Sequence, residues 1–244
     1  MSPWSVLYEA PRLLTSEWGH HRIFAPEAYP AIRALREVAI LAREAPVIAR
    51  TVPICWRRDQ GRYRLVALMA LREQATVLPP YGDLPMAVQA YPFVVPDEET
   101  LGQRQIWVDS AIADRPTDVG APLVMADGRL SNAARMRGEM AIQLAKGQND
   151  TDDLCDDLAE EGLLEPWPLK FDLGFGEAVD IDGLFVLKAS RLQDPVWFTL
   201  VERHGIGAGM LVANHRLSLF RINWLLANAR NSVRAKARGA EAAP

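Results

Sequence analysis

The sequence predicts an α+β fold, with antiparallel hairpins forming a mixed sheet packed against several helices in a single domain. Three observations carry this: a hairpin-like pair of runs within Val52–Leu71, a second within Leu169–Leu187, and a pair of helical segments between Ser131 and Glu161. Strands followed by paired helices and then more strands fit α+β better than a parallel βαβ sheet.

The elements follow in order. Residues 1–19 read as an irregular N-terminal segment, with Pro3, Pro11 and several aromatics, and a short strand is expected at His20–Phe24. Ala31–Ala45 has helical composition, placing Ile32, Leu35, Val38, Ala39, Ala42 and Ala45 at three-to-four spacing before Pro46 stops it. Val52–Trp56 and Tyr63–Leu71 form the first hairpin, joined by a polar connection of four to six residues within Arg57–Arg62. A short helix at Pro85–Tyr91 and a strand at Ile106–Asp109 come next.

Ser131 is a suitable N-cap for a helix running to Lys146, and Gly147 stands where a left-handed C-terminal residue is expected. A second helix, Thr151–Glu161, carries Asp152 and Asp153 in its first turn, where the macrodipole favours negative charge. Leu169, Phe171 and Leu173 alternate with Lys170 and Asp172, and Gly174-Phe175-Gly176 turns the chain into a strand over Ala178–Leu187. Helices near Pro195–His204 and Asn214–Asn231 complete a domain spanning 20–231, and 232–244 reads as a flexible tail. The best place for a seam is Pro116–Pro122.

Bulk properties narrow the functional classes. A net charge of −4 over 244 residues argues against a mainly electrostatic nucleic-acid binder. Cys55 and Cys155 are too few and too far apart for a disulfide-stapled secreted domain, which fits a reducing compartment. The N-terminus lacks the basic start and apolar core of a secretory signal. The most apolar stretch, Ile206–Leu226, is broken by Asn214, His215, Arg216, Arg221 and Asn223, so no membrane span is expected.

No catalytic motif stands out. His20, His21, His204 and His215 lack the local spacings that prearrange metal ligands, so neither a metal nor another cofactor is expected. The acidic run Asp150–Glu161 has Leu154 and Cys155 where a calcium loop needs oxygen donors or glycine, and reads as the solvated face of a helix. Cys155 lies among carboxylates, which raise a thiol pKa and blunt its reactivity. Gly205–Gly209 lacks the lysine of a phosphate loop and reads as a link between helices. The basic residues Arg216, Arg221, Arg230, Arg234, Lys236 and Arg238 fit a solvated helix end or contact with an anionic surface. Glu165, between Leu164 and Pro166 and beside Trp167, is a candidate general acid if desolvated.

Several segments together resemble the bacterial SapC family over residues 19 to 228. They are His21-Arg22-Ile23, Ala45-Pro46-Val47-Ile48, Val66-Ala67-Leu68, Tyr91-Pro92-Phe93, Leu163–Leu169, Gly183–Leu187 and His215–Leu219. The chain departs from the family pattern at Glu73–Pro80, which lacks an Asn-Leu-Phe-Val-like run. The resemblance implies a soluble bacterial protein connected with surface layers or uptake systems, and it supplies no catalytic residues to carry over.

The functional expectation is therefore an accessory or binding role connected with the cell envelope. Its partner would be an envelope protein or small-molecule ligand, its location cytoplasmic, with attachment at the inner membrane and self-association left open. The alternative is an enzyme acting on a peptide, glycan or small molecule, with His20 or His21, Glu165 and His215 converging in a cleft.

Overall fold

The computed structural model describes residues 7–72, 76, 78, 83–110 and 112–241. In chain order the strands are β1 (Pro11–Leu13), β2 (Arg22–Ile23), β3 (Glu37–Ala39), β4 (Ile54–Asp59), β5 (Arg62–Leu68), β6 (Phe93–Val94), β7 (Trp107–Asp109), β8 (Ala121–Pro122), β9 (Leu164–Pro166), β10 (Leu169–Gly174), β11 (Glu177–Ile181) and β12 (Leu184–Leu187). The α-helices are α1 (Pro30–Arg33), α2 (Ala45–Ile48), α3 (Met86–Ala90), α4 (Glu98–Gly102), α5 (Asn132–Glu160), α6 (Val196–His204), α7 (Ile206–Ser218) and α8 (Ile222–Glu241). The class is α+β, and the expected mixed sheet resolves into four sheets whose strand pairings are all antiparallel among the described residues.

The chain forms two compact units, Met1–Arg33 with Leu84–Gln148 and Ala34–Asp83 with Asn149–Pro244. It passes between them three times, and the Pro116–Pro122 stretch lies inside the first unit.

The first unit contains the three-stranded sheet β1-β7-β6 and the pair β2-β8. A buried polar network organises it. Arg137 on α5 donates from Nη1 to the Tyr91 carbonyl at 2.6 Å and from Nη2 to the Phe24 carbonyl. Asp109 accepts from the amides of Glu9 (3.0 Å) and Ala10 (3.1 Å), and the Tyr8 hydroxyl donates to the Phe93 carbonyl (2.9 Å). The buried charges are thus hydrogen-bonded to main chain, the condition under which an interior tolerates them. Tyr8 and Tyr29 pack their rings on Tyr91, which precedes a cis proline, Pro92.

The second unit is built on a five-stranded sheet of order β3-β5-β4-β12-β9. The first hairpin is present, but its connection shrinks to Gln60-Gly61, because Arg57–Asp59 and Arg62 continue the ladder. Both turn residues have positive φ, 48° and 88°, as a two-residue turn matching strand twist requires. The second hairpin pairs β10 with β11 around Gly174-Phe175-Gly176. The run expected to end at Leu187 breaks at Asp182-Gly183, and its last four residues leave the hairpin as β12, inserted between β4 and β9. β9 is an edge strand, where Pro166 costs no ladder bond.

Several helix expectations change. Most of Ala31–Ala45 is not helical: Val38 is buried in β3 and pairs with Ala67, so sheet pairing overrides helical composition. The two helices expected around Gly147 are one helix, α5, of 29 residues. Ser131 does cap it, accepting from the Ala134 amide at 3.1 Å. Thr151 is not a cap but an internal residue whose hydroxyl accepts from the Ala42 amide at 3.1 Å. α8 continues to Glu241, past the point where the sequence placed a tail. Its buried Leu225, Ala229 and Val233 cluster with Leu169, Leu173, Val179 and Ile181 of the β10–β11 hairpin.

Candidate functional site

The four residues singled out in the sequence fall in different units. His20 and His21 belong to the first unit and Glu165 and His215 to the second. His20 and His21 are exposed, and the His21 ring lies against Trp18 with centroids 4.5 Å apart. Glu165 is half-buried in β9, opposite Val186, and its carboxylate forms no ion pair with a described residue.

His215 is 0% exposed and both ring nitrogens are committed. Nδ1 lies 2.8 Å from the Ile54 carbonyl and Nε2 lies 3.2 Å from the Leu187 amide. A carbonyl only accepts and an amide only donates, so the proton sits on Nδ1 and the ring is neutral. Burial, aided by Arg216, depresses its pKa to about 4 against the opposing bond to Ile54, and Trp56 meets it edge-on at 4.8 Å. The imidazole braces α7 against β4 and β12, with no lone pair left for a substrate.

The thiols are equally occupied by packing. Burial pushes Cys155 up to about 12, with Asp152 and Asp156 adding to it, and raises Cys55 as well. Neither is a thiolate near neutral pH, the form that attacks. Asp157 receives Nε2 of His204 at 2.6 Å and Nη1 of Arg203 at 2.7 Å. Burial alone would raise its carboxyl, and these two bonds outweigh burial and hold it below its ordinary value. The trio ties α6 to α5, with no nucleophile beside it among the described contacts. Among the described residues, no group of three or more His, Cys, Asp or Glu is placed to hold a metal ion, and no helix is long and apolar enough to cross a membrane.

A different feature is a surface whose apolar stripe the sequence reading missed, although it did weigh contact of the basic residues Arg216–Arg238 with an anionic surface. From Ile206 the chain runs through α7, one 3-10 turn (Leu219–Arg221) and α8. Its inward side buries Ala208, Leu211, His215, Ser218, Leu225, Ala229 and Val233. A second apolar set, Ile206, Met210, Ala213, Leu217, Phe220 and Trp224, steps along the chain by four, three, four, three and four, the spacing of a single helix face. It is exposed: Ile206 by 80%, Leu217 by 64% and Phe220 by 75%. Phe198 on α6, packed beside α7, adds another open aromatic ring. The stripe exposes on the order of 500 Å², taking aromatic side chains at about 150–250 Å² each, the upper range for a single patch on a monomer.

The local electrostatics are one-sided. Residues 203–240 hold seven of the chain's 27 Lys and Arg and none of its 31 Asp and Glu. Arg216 and Arg221 adjoin the stripe, one residue before Leu217 and one after Phe220. Arg203 is paired with Asp157, and Arg230 donates to the Asp172 carbonyl. Arg216, Arg221, Arg234, Lys236 and Arg238 form no ion pair with a described residue. Gly205 makes the arrangement possible: at φ 75°, ψ −178° it ends α6 and starts α7 in a conformation essentially confined to glycine.

The model of the family described as SapC matches residues 13–225. No curated protein and no solved structure matches the chain.

Proposed function

The chain belongs to the SapC family, and from that premise we propose that it is an accessory protein of cell-envelope or uptake systems, working by docking rather than by turning over a substrate. The observation that carries the reading is the exposed apolar stripe from Ile206 to Trp224. Leaving such a patch in water has no folding benefit, and patches of this size commonly mark interaction sites. The commitment of His215 to backbone and the protonated state of both thiols favour docking over the enzymatic alternative.

Fractionation of the host cell tests it. Cells are broken at low ionic strength and the envelope is pelleted. The full chain is expected in the pellet, and Leu217→Glu with Phe220→Glu is expected in the supernatant. Both residues are exposed, so the double variant keeps its fold, checked by circular dichroism and urea midpoint. Identical partitioning of wild type and variant refutes docking through this face.

A further inference from the structure

We propose that the face presented by α7, the following 3-10 turn and α8 seats on an anionic lipid bilayer, lying in the interfacial plane without spanning it. The inference rests on the docking reading above and names the partner. Two properties coincide on the same helical run. The apolar stripe contains Leu217, Phe220 and Trp224, side chains that bury in the headgroup–acyl boundary, with tryptophan favouring that interface. Arginines adjoin it, and cations continue along α8 at Arg234, Lys236 and Arg238. An amphipathic helix with this division of residues binds bilayers through apolar burial and attraction to anionic headgroups together.

Charge decides against a second copy of the chain. Two such faces packed together would gather Arg216 and Arg221 of both copies into one interface, with no acid anywhere in 203–240 to pair them. A nucleic acid would use the cations and leave the apolar stripe in water. The net charge of −4 does not prevent approach to an anionic surface. Screening confines the interaction to charges within about 8–10 Å, and residues 203–240 carry cations with no acid among them.

Flotation of the purified full chain with bare vesicles tests the inference. Vesicles of phosphatidylcholine with 30% phosphatidylglycerol are compared with pure phosphatidylcholine. At ~0.1 M salt the chain is expected to bind the anionic vesicles at least tenfold more tightly, losing most of that advantage at ~0.5 M salt as screening shortens. Arg216→Glu with Arg221→Glu should weaken binding about tenfold or more. Leu217→Glu with Phe220→Glu should abolish it. Equal binding to both vesicle types overturns the anionic assignment. Absence of vesicle binding, with stripe-dependent sedimentation retained in the host envelope, assigns the face to an acidic protein partner: the lipid inference falls and the docking function stands. Absence of both removes both. A dimer by light scattering that the Leu217/Phe220 variant dissolves makes a second copy the occupant and overturns the inference.

Discussion

Protonation of His215 should make the second unit acid-sensitive by an amount the structure sets. The imidazole titrates near 6.5 when unfolded and at about 4 in its buried site. Above pH 6.5 neither state holds the extra proton, and the residue contributes no pH dependence. Between 6.5 and about 4 the unfolded chain binds a proton that the native state refuses, so stability falls as pH drops. Below 4 both states bind it and the loss is complete. At about 1.36 kcal/mol per pH unit the full loss is about 3 kcal/mol, of which about 2 kcal/mol has accrued by pH 5. Urea unfolding at pH 7.5 and 5.0 measures it, with His215→Gln as the reference that cannot titrate. The variant should be less stable at pH 7.5 by roughly 1–3 kcal/mol, because one of the Ile54 and Leu187 backbone groups loses its partner. Its stability should also change less between the two pH values, by about 2 kcal/mol. Parallel pH dependences for wild type and variant would refute the assignment of His215 as a neutral buried brace.

Two further outcomes follow from the interior. Arg137→Ala strips the Tyr91 and Phe24 carbonyls of their donor and should destabilise the chain by about 3 kcal/mol or more. The neighbouring Arg135→Ala removes a solvent-exposed pair with Glu139 and an exposed hydrogen bond to Asn132, and should cost no more than about 0.5 kcal/mol; equal unfolding midpoints for the two variants would contradict the network. Both thiols should resist a thiol-specific reagent at pH 8 in the native protein and react fully in denaturant, whereas fast native labelling of Cys155 would contradict its buried, protonated state.

The parts of the fold legible in the sequence are those with local chemistry. Alternation at Leu169–Leu173 and glycine at 61, 174 and 176 located the two hairpins, because turn conformation is a property of a few adjacent residues. Pairing across sequence was not legible. Nothing between Ile32 and Ala45 announces that Val38 lies opposite Ala67. Nor does anything near Gly183 show that β12 joins β4 and β9 instead of extending the hairpin. One signal was present only in part, because Arg137, Gln148 and Thr151 interrupt its apolar character. In α5 the buried or half-buried positions Ala134, Arg137, Ala141, Leu144, Gln148, Thr151, Cys155 and Leu158 keep three-to-four spacing straight through Gly147. A glycine costs a helix only about 1 kcal/mol, so an unbroken stripe outweighs it. The segments that carried the family resemblance prove largely structural. Leu163–Leu169 and Gly183–Leu187 supply the paired strands β9 and β12, and His215 bonds to Leu187.

The candidate site was illegible for a related reason: periodicity shows which residues share a helix face, not which face is covered. On α7 the hydrophobic effect alone would choose the wrong one. The outward face offers Ile206, Met210, Leu217 and, just beyond, Phe220, while the inward face spends two of its four buried positions on His215 and Ser218. Those two polar residues set the rotation. The Ile54 amide donates to the Ser218 hydroxyl at 2.9 Å, that hydroxyl donates back to the His215 carbonyl at 2.7 Å, and His215 bridges Ile54 and Leu187. Rolling the helix to bury the richer apolar face would leave the Ile54 amide and carbonyl and the Leu187 amide unpaired in the interior. At roughly 1–3 kcal/mol for each stranded group, that loss matches or exceeds the gain from burying two or three more large side chains. The same hydrogen bonds that hold α7 on the sheet therefore keep its apolar face in the open, where a membrane surface can reach it.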